Sequence, residues 1–190
     1  MPDQISRDGW LSLARKVVSP NHNKRSLHDK ISLIVIHNIS LPPGKFCVNH
    51  NNGSLIESFF CNTLPAGLDP FLDSIMTLQV SSHLLIYRDG SLVQFVSFND
   101  RAWHAGQSVF QGLSNCNDYS IGIELEGTDN IHYTEEQYAS LARTINMLMK
   151  TYPEITLENI VGHSDIAPGR KTDPGNYFFW NNLHRLLDIS

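Results

Sequence analysis

Cysteine is scarce in this chain: Cys47, Cys61 and Cys116 are the three in 190 residues, an odd number with no CxxC spacing. That excludes a cysteine-based metal motif and suits a reducing compartment, with one Cys47–Cys61 disulfide as the alternative. Long hydrophobic runs are missing as well. Leu33-Ile34-Val35-Ile36 is the longest, far short of the roughly 20 apolar residues that cross a bilayer. Asp3, Arg7 and Asp8 precede any apolar stretch, so no secretory signal is expected and the location expected is cytoplasmic. Positive charge is also in short supply, with 14 Lys+Arg against 19 Asp+Glu and a formal charge of -5, which speaks against nonspecific binding to nucleic acid or anionic membrane. At 41% hydrophobic and 17% charged residues without low-complexity tracts, a disordered chain and an isolated coiled coil are both excluded. The length favours one domain over 1–190.

What is present is a mixture of strand and helix signals. Ile31 to Ile36 reads as a buried strand ending in His37-Asn38, followed by the breaker Leu41-Pro42-Pro43-Gly44 and a long loop from Lys45 to Gly53. Leu55 to Phe60 suggests a short helix, and Asp69-Pro70 starts another through about Leu78. His83–Arg88 and Ser91–Val96 flank Asp89-Gly90, a two-residue pair suited to a type I′ hairpin turn. From Tyr119 to Gly127, alternation puts Tyr119, Ile121, Ile123 and Leu125 on one face and Ser120, Gly122, Glu124 and Glu126 on the other. Thr134 and Gln137 form a capping-box pattern for a helix with Tyr138, Leu141, Ile145, Leu148 and Tyr152 on one stripe until Pro153. A last amphipathic helix is expected from about Tyr177 to Ile189, burying Leu183, Leu186 and Leu187. Strands interleaved with helices make an α/β fold.

Two histidines stand in contexts that suggest chemistry. His37 closes an apolar strand, and His163 opens a stiff polar loop, His163-Ser164-Asp165-Ile166-Ala167-Pro168-Gly169-Arg170-Lys171-Thr172-Asp173-Pro174-Gly175. Two imidazoles and a carboxylate are a common set for catalytic zinc, with a fourth position left for water. Residue types alone leave Asp165 and Asp173 as alternatives.

Four ordered segments carry a resemblance. Val35-Ile36-His37-Asn38-Ile39-Ser40-Leu41-Pro42-Pro43-Gly44, Arg101-Ala102-Trp103-His104-Ala105-Gly106, Cys116-Asn117-Asp118-Tyr119 through Glu124-Leu125-Glu126-Gly127-Thr128, and Gly162-His163 through Asp173-Pro174-Gly175 closely resemble the AmpD-type N-acetylmuramoyl-L-alanine amidases. Several long motifs in order are far more specific than one short pattern. The resemblance implies a single α/β domain with a central mixed sheet flanked by helices, as in the amidase and peptidoglycan-recognition architecture. It implies one Zn²⁺ on His37, His163 and Asp173, Glu124 as the acid–base carboxylate and Lys171 as a cation near the developing oxyanion. Asn38, Phe71, Trp103 and Arg170 fall at substrate-contact positions, Trp103 offering an aromatic face to a sugar. Glu126 would support Glu124, and His83 and His104 would support the pocket.

The expected reaction is hydrolysis of the lactyl-L-alanine amide of muropeptides, most simply 1,6-anhydro-N-acetylmuramyl peptides in peptidoglycan recycling, with the muropeptide as the partner and no nucleic acid or membrane. The alternatives are an amidase acting on polymeric peptidoglycan or a different stem peptide, and a muropeptide-binding sensor without catalysis. Gln79 and Asn115 depart from the family, which carries arginines there that are associated with the diaminopimelate carboxylate of the stem peptide, and the Asn49–Ser54 stretch is insertion-like.

Overall fold

Apolar residues at a period of two build the centre of the molecule. The computed structural model describes residues 4–26, 30–47, 49–50 and 53–187. Its main sheet has strands β1 (Arg15–Lys16), β2 (Leu33–Ile39), β3 (Leu84–Ile86), β4 (Leu92–Gln94), β5 (Ser120–Glu126) and β6 (Ile160–Gly162) in the spatial order β1-β4-β3-β5-β2-β6. Every pairing is parallel except the β3–β4 hairpin, so the sheet is mixed. Parallel strands need crossovers that cover both faces, and every residue of β5 is accordingly buried. The helices are α1 (Leu55–Phe60), α2 (Pro70–Ile75), α3 (Glu135–Thr151), α4 (His163–Ile166) and α5 (Trp180–His184).

One face of the sheet, Ile34 and Ile36 of β2 with Ile121, Ile123 and Leu125 of β5, packs in a single cluster with Tyr138, Leu141, Ile145 and Leu148 of α3. The expected capping box holds: Gln137 N donates to Thr134 Oγ1 at 3.1 Å and Thr134 N to Gln137 Oε1 at 3.2 Å. Gln137 Nε2 then donates to the carbonyls of Ile86 and Glu126, fastening the start of α3 to the ends of β3 and β5. The opposite face is covered by α1 and α2, whose Leu55, Ile56, Phe59, Phe60 and Leu72 cluster with Leu85, Val93 and Phe95.

Several local expectations change. β2 starts at Leu33 and not Ile31, and it runs past the expected end at His37-Asn38 to Ile39, which pairs with Glu126 of β5. The hairpin loop is Arg88-Asp89-Gly90 and not a two-residue type I′ turn: Gly90 N bonds Tyr87 O, Tyr87 N bonds Ser91 O, and of Asp89 and Gly90 only the glycine has positive φ, 79°. Asp89 Oδ1 accepts from Ser91 N at 2.9 Å, a local bond that favours ordinary backbone at Asp89 and leaves glycine alone to take the left-handed step. α2 stops at Ile75 and not Leu78, whose amide closes a tighter turn onto Ile75 O.

The 45–53 loop contains a short ribbon, Asn49 and His50 pairing with Ser54 and Gly53. The C-terminal helix starts late because Phe179 N is taken by the Tyr138 hydroxyl at 2.7 Å, while Phe178 fills the core. Leu183 and Leu187 are buried as expected, but Leu186 is 47% exposed because α5 ends at His184 and the chain rotates it outward; the expected end at Ile189 lies outside the described residues. Cys47, Cys61 and Cys116 are all free, so the Cys47–Cys61 pairing is not formed.

Candidate active site

Strand register assembles the site at the C-terminal ends of the parallel strands, where open α/β sheets commonly bind ligands. Glu124 of β5 sits directly beside His37 of β2, and Gly162 of β6 sits beside Ile36, so His163 emerges next to His37 as α4 begins. The 171–175 segment closes the third side, tied down by Ser164 N donating to Asp173 O at 3.0 Å.

Three side-chain atoms then converge. His37 Nδ1 lies 2.9 Å from His163 Nδ1 and 3.1 Å from Asp173 Oδ2, and His163 Nδ1 lies 3.0 Å from the same oxygen. Bonds of roughly 2.0–2.2 Å from zinc to such donors leave neighbouring ligand atoms about this far apart, so the residues fit a small divalent cation. The tautomer of His163 agrees. Its Nε2 faces the Ala105 carbonyl at 3.1 Å, which can only accept, so in the neutral ring Nδ1 turns a lone pair toward the carboxylate. Asp165 is not part of this group, since its carboxylate accepts from Gly162 N at 2.7 Å at the start of α4.

Electrostatics prepare the same set. Burial pulls His37 down to about 4 against the opposing pull of Asp173, so the ring is neutral at neutral pH. Burial alone would raise Asp173, but its contacts with His163 and His37 outweigh it and hold the carboxyl well below its usual range. Glu124 goes the other way. Burial first and the charge of Asp173 second push its carboxyl well above the ordinary value, with Lys171 opposing. Its Oε2 is buried without a hydrogen-bond partner, the condition of a group left ready for water or substrate.

A cleft of about 600 Å³ opens over these groups. His37, Asn38, Trp103, Glu124, His163, Arg170, Lys171 and Asp173 all line it, together with Asp129 and apolar Phe59, Phe60, Leu78 and Val80. Asn38 is a brace here, its Nδ2 donating to Asp129 Oδ1 at 2.8 Å and Pro174 O at 3.2 Å. Arg170 Nη2 donates to Ala105 O and Gln107 O, holding the loop beside Trp103. Phe71 is not brought to the cleft: it stands 43% exposed on α2, while its neighbour Leu72 carries the packing. Glu126 turns its carboxylate to Cys47 N at 2.6 Å and Arg88 N at 3.3 Å, a tie between loop and hairpin. Gln79 and Asn115 are both exposed, and Asn115 takes a left-handed φ of 58°, which asparagine tolerates better than most residues.

Sequence reasoning misses two supports of this site, Ser120 and Asn117. Asn117 Oδ1 accepts from the backbone N–H of His104 at 3.0 Å and Ala105 at 2.8 Å, fixing the segment that meets both imidazoles. The available signal was the polar face of β5, whose first member is Ser120.

Residues 27–176 match the N-acetylmuramoyl-L-alanine amidase family. The chain belongs to that family. It is an N-acetylmuramoyl-L-alanine amidase, 51% identical over 183 residues to the 1,6-anhydro-N-acetylmuramyl-L-alanine amidase AmpD of Escherichia coli K12, covering 96% of this chain and 97% of that one. The crystal structure of a selenomethionine AmpD derivative superposes with a TM-score of 0.89 at 49% identity, covering 95% of this chain and 97% of that one. The amidase also resembles E. coli AmiD in complex with anhydro-N-acetylmuramic acid-L-Ala-D-gamma-Glu-L-Lys, at TM-score 0.58 and 27% identity over 96% of this chain and 65% of that one. Among the described residues of the amidase, no helix is long and apolar enough to cross a membrane.

Proposed function

We propose that this amidase cleaves the amide between 1,6-anhydro-N-acetylmuramic acid and L-alanine in muropeptides released during peptidoglycan recycling, acting as one domain over residues 1–190 in the cytoplasm. The observation that carries the reading is the pairing, on adjacent strands, of a convergent His37, His163 and Asp173 with an unpartnered buried Glu124. The names of the close relatives support the substrate, and three free cysteines fit the compartment. His37, His163 and Asp173 hold one zinc ion, the metal suited to two imidazoles and a carboxylate. Bound there, zinc supplies Lewis acidity toward the attacking water and the scissile carbonyl.

The chain's own residues do the rest. The Glu124 carboxylate accepts a proton from the attacking water through Oε2 and returns it to the alanine nitrogen as the C–N bond breaks, a shuttle helped by a carboxyl whose affinity for protons burial raises well above the ordinary value. Lys171 also lines the cleft and places its ammonium where the carbonyl oxygen gains charge. Trp103 presents its ring to the sugar, and Asn38 and Arg170 contact substrate from the positions they brace.

The test is a mass-spectrometric assay of purified protein with 1,6-anhydro-N-acetylmuramyl tripeptide, run zinc-loaded, chelated and zinc-restored, beside intact peptidoglycan. Zinc-dependent release of peptide from the small substrate and little from the polymer is expected. A folded, zinc-occupied sample that cleaves neither would overturn the proposal, and preferential cleavage of the polymer would move the substrate to the wall.

A further inference from the structure

The two imidazoles of the metal group are supported in different ways. His163 needs one bond: Nε2 donates to a backbone carbonyl, and the tautomer is decided. Among the described residues His37 Nε2 meets no such carbonyl. Its Nε2 faces another imidazole, Nδ1 of His104, at 2.9 Å, and a neutral imidazole can be donor or acceptor at either nitrogen. The ambiguity is resolved two contacts further on. His104 Nε2 lies 3.1 Å from Ser120 Oγ, and Ser120 Oγ lies 2.5 Å from Cys116 O. A carbonyl oxygen only accepts, so the hydroxyl proton of Ser120 belongs to Cys116. Ser120 Oγ must then accept from His104 Nε2–H, which leaves His104 Nδ1 as an acceptor and requires His37 to carry its proton on Nε2. The reverse order would spend the Ser120 proton on His104 and leave two oxygen acceptors facing each other at 2.5 Å.

We propose that Ser120 and His104 are positioning residues that set the proton of His37 on Nε2, so that His37 Nδ1 is presented as an unprotonated ligand nitrogen. The surroundings keep the relay in place. Gly122 lies between Ser120 and Glu124 on the same face of β5, and a Cβ there would come within 2.4 Å of His104 Cγ, so this position must lack a side chain for the ring to lie against the strand. Asn117 Oδ1 holds the His104 backbone from the other side. One face of one strand therefore carries, at successive alternate positions, the acceptor that orients a ligand, the gap that admits the orienting ring and the carboxyl of the reaction. Partners of this kind beside metal-bound histidines typically matter by 10–100-fold in metal affinity.

This inference takes the metal site of the preceding section as its premise, and its test does not depend on turnover. Long-range ¹H–¹⁵N spectra of metal-free, ¹⁵N-histidine-labelled protein are expected to show His104 and His37 both protonated at Nε2. A proton on His104 Nδ1 would overturn the relay, with no variant required. In chelator competition, Ser120→Ala is expected to weaken zinc binding about 10–100-fold, with an unchanged circular dichroism spectrum and with His163 still Nε2-protonated. Ser120→Thr, which keeps the hydroxyl, should recover most of that loss. Parental zinc affinity and an unchanged His37 signal in Ser120→Ala would sink the proposal. Active parental protein with reversed tautomers would remove this inference alone, whereas inactive protein with the expected tautomers would remove the proposed reaction and leave the relay standing.

Discussion

On one face of β5, Ile121, Ile123 and Leu125 join Leu141, Ile145 and Leu148 of α3 in an apolar cluster; on the other, Ser120, Gly122, Glu124 and Glu126 are equally buried but polar or absent as side chains. Within that second face two carboxylates part company. Glu126, 1% exposed, is satisfied by Cys47 N and Arg88 N, whereas Glu124, 8% exposed, leaves Oε2 without a partner. Burying an ionisable group unpaired is costly, so Glu124 opposes the stability of the fold while Glu126 serves it. Burial and sequence neighbourhood are shared; what differs is whether the rest of the chain has come to meet the carboxylate.

The largest break in this comparison is at the metal group. Asp173→Ala is predicted to lose bound zinc, read by elemental analysis, and with it all measurable peptide release. Next comes Glu124→Gln, for which zinc content should be parental while kcat falls by roughly 10²–10⁴, as expected for a lost general acid–base. The same substitution should raise the Tm of metal-free protein at neutral pH. The sign follows from a folded-state proton affinity raised above the unfolded value: the carboxyl's contribution is intact below the ordinary range near 4.5 and is lost as pH rises through the raised value, so a neutral amide removes a cost. The Tm gap should therefore close in acid, and a Glu124→Gln protein less stable than the parent at neutral pH would refute the contrast.

On the apolar face, Leu141→Ala, fully buried, should cost about 2–5 kcal/mol by denaturant unfolding while leaving kcat of the folded fraction unchanged. Glu126→Gln should reverse the pattern of Glu124→Gln, losing about 1–3 kcal/mol of stability through its weakened bonds and keeping kcat. Smallest of all, Thr134→Ala removes one half of the capping box and should cost about 1 kcal/mol by the same unfolding measurement.

Much of the apolar side is legible from local pattern. The α3 stripe, its Thr134 cap and the alternation of β5 are periodic signals, and periodicity reports which face is buried without reference to anything distant. The chemistry-bearing positions were legible for a different reason: the motifs around His37, Glu124, His163 and Asp173 are long, and a resemblance can carry roles that composition does not. Where the reading failed, a distant atom had intervened. The Tyr138 hydroxyl took the Phe179 amide and delayed α5, and pairing of Glu126 with Ile39 carried β2 past His37-Asn38.

Sequence alone determined the α/β class, the amphipathic elements and the residue types that a metal amidase needs, because each is written in spacing along the chain. Tertiary structure decided between Asp165 and Asp173 as neighbours of the imidazoles, separated Glu124 from Glu126, and recruited Ser120 and the carbonyls of Ala105 and Cys116. Those decisions turn on which hydrogen-bond donor meets which acceptor across strands and loops far apart in sequence, and a backbone carbonyl has no letter of its own by which it could be read.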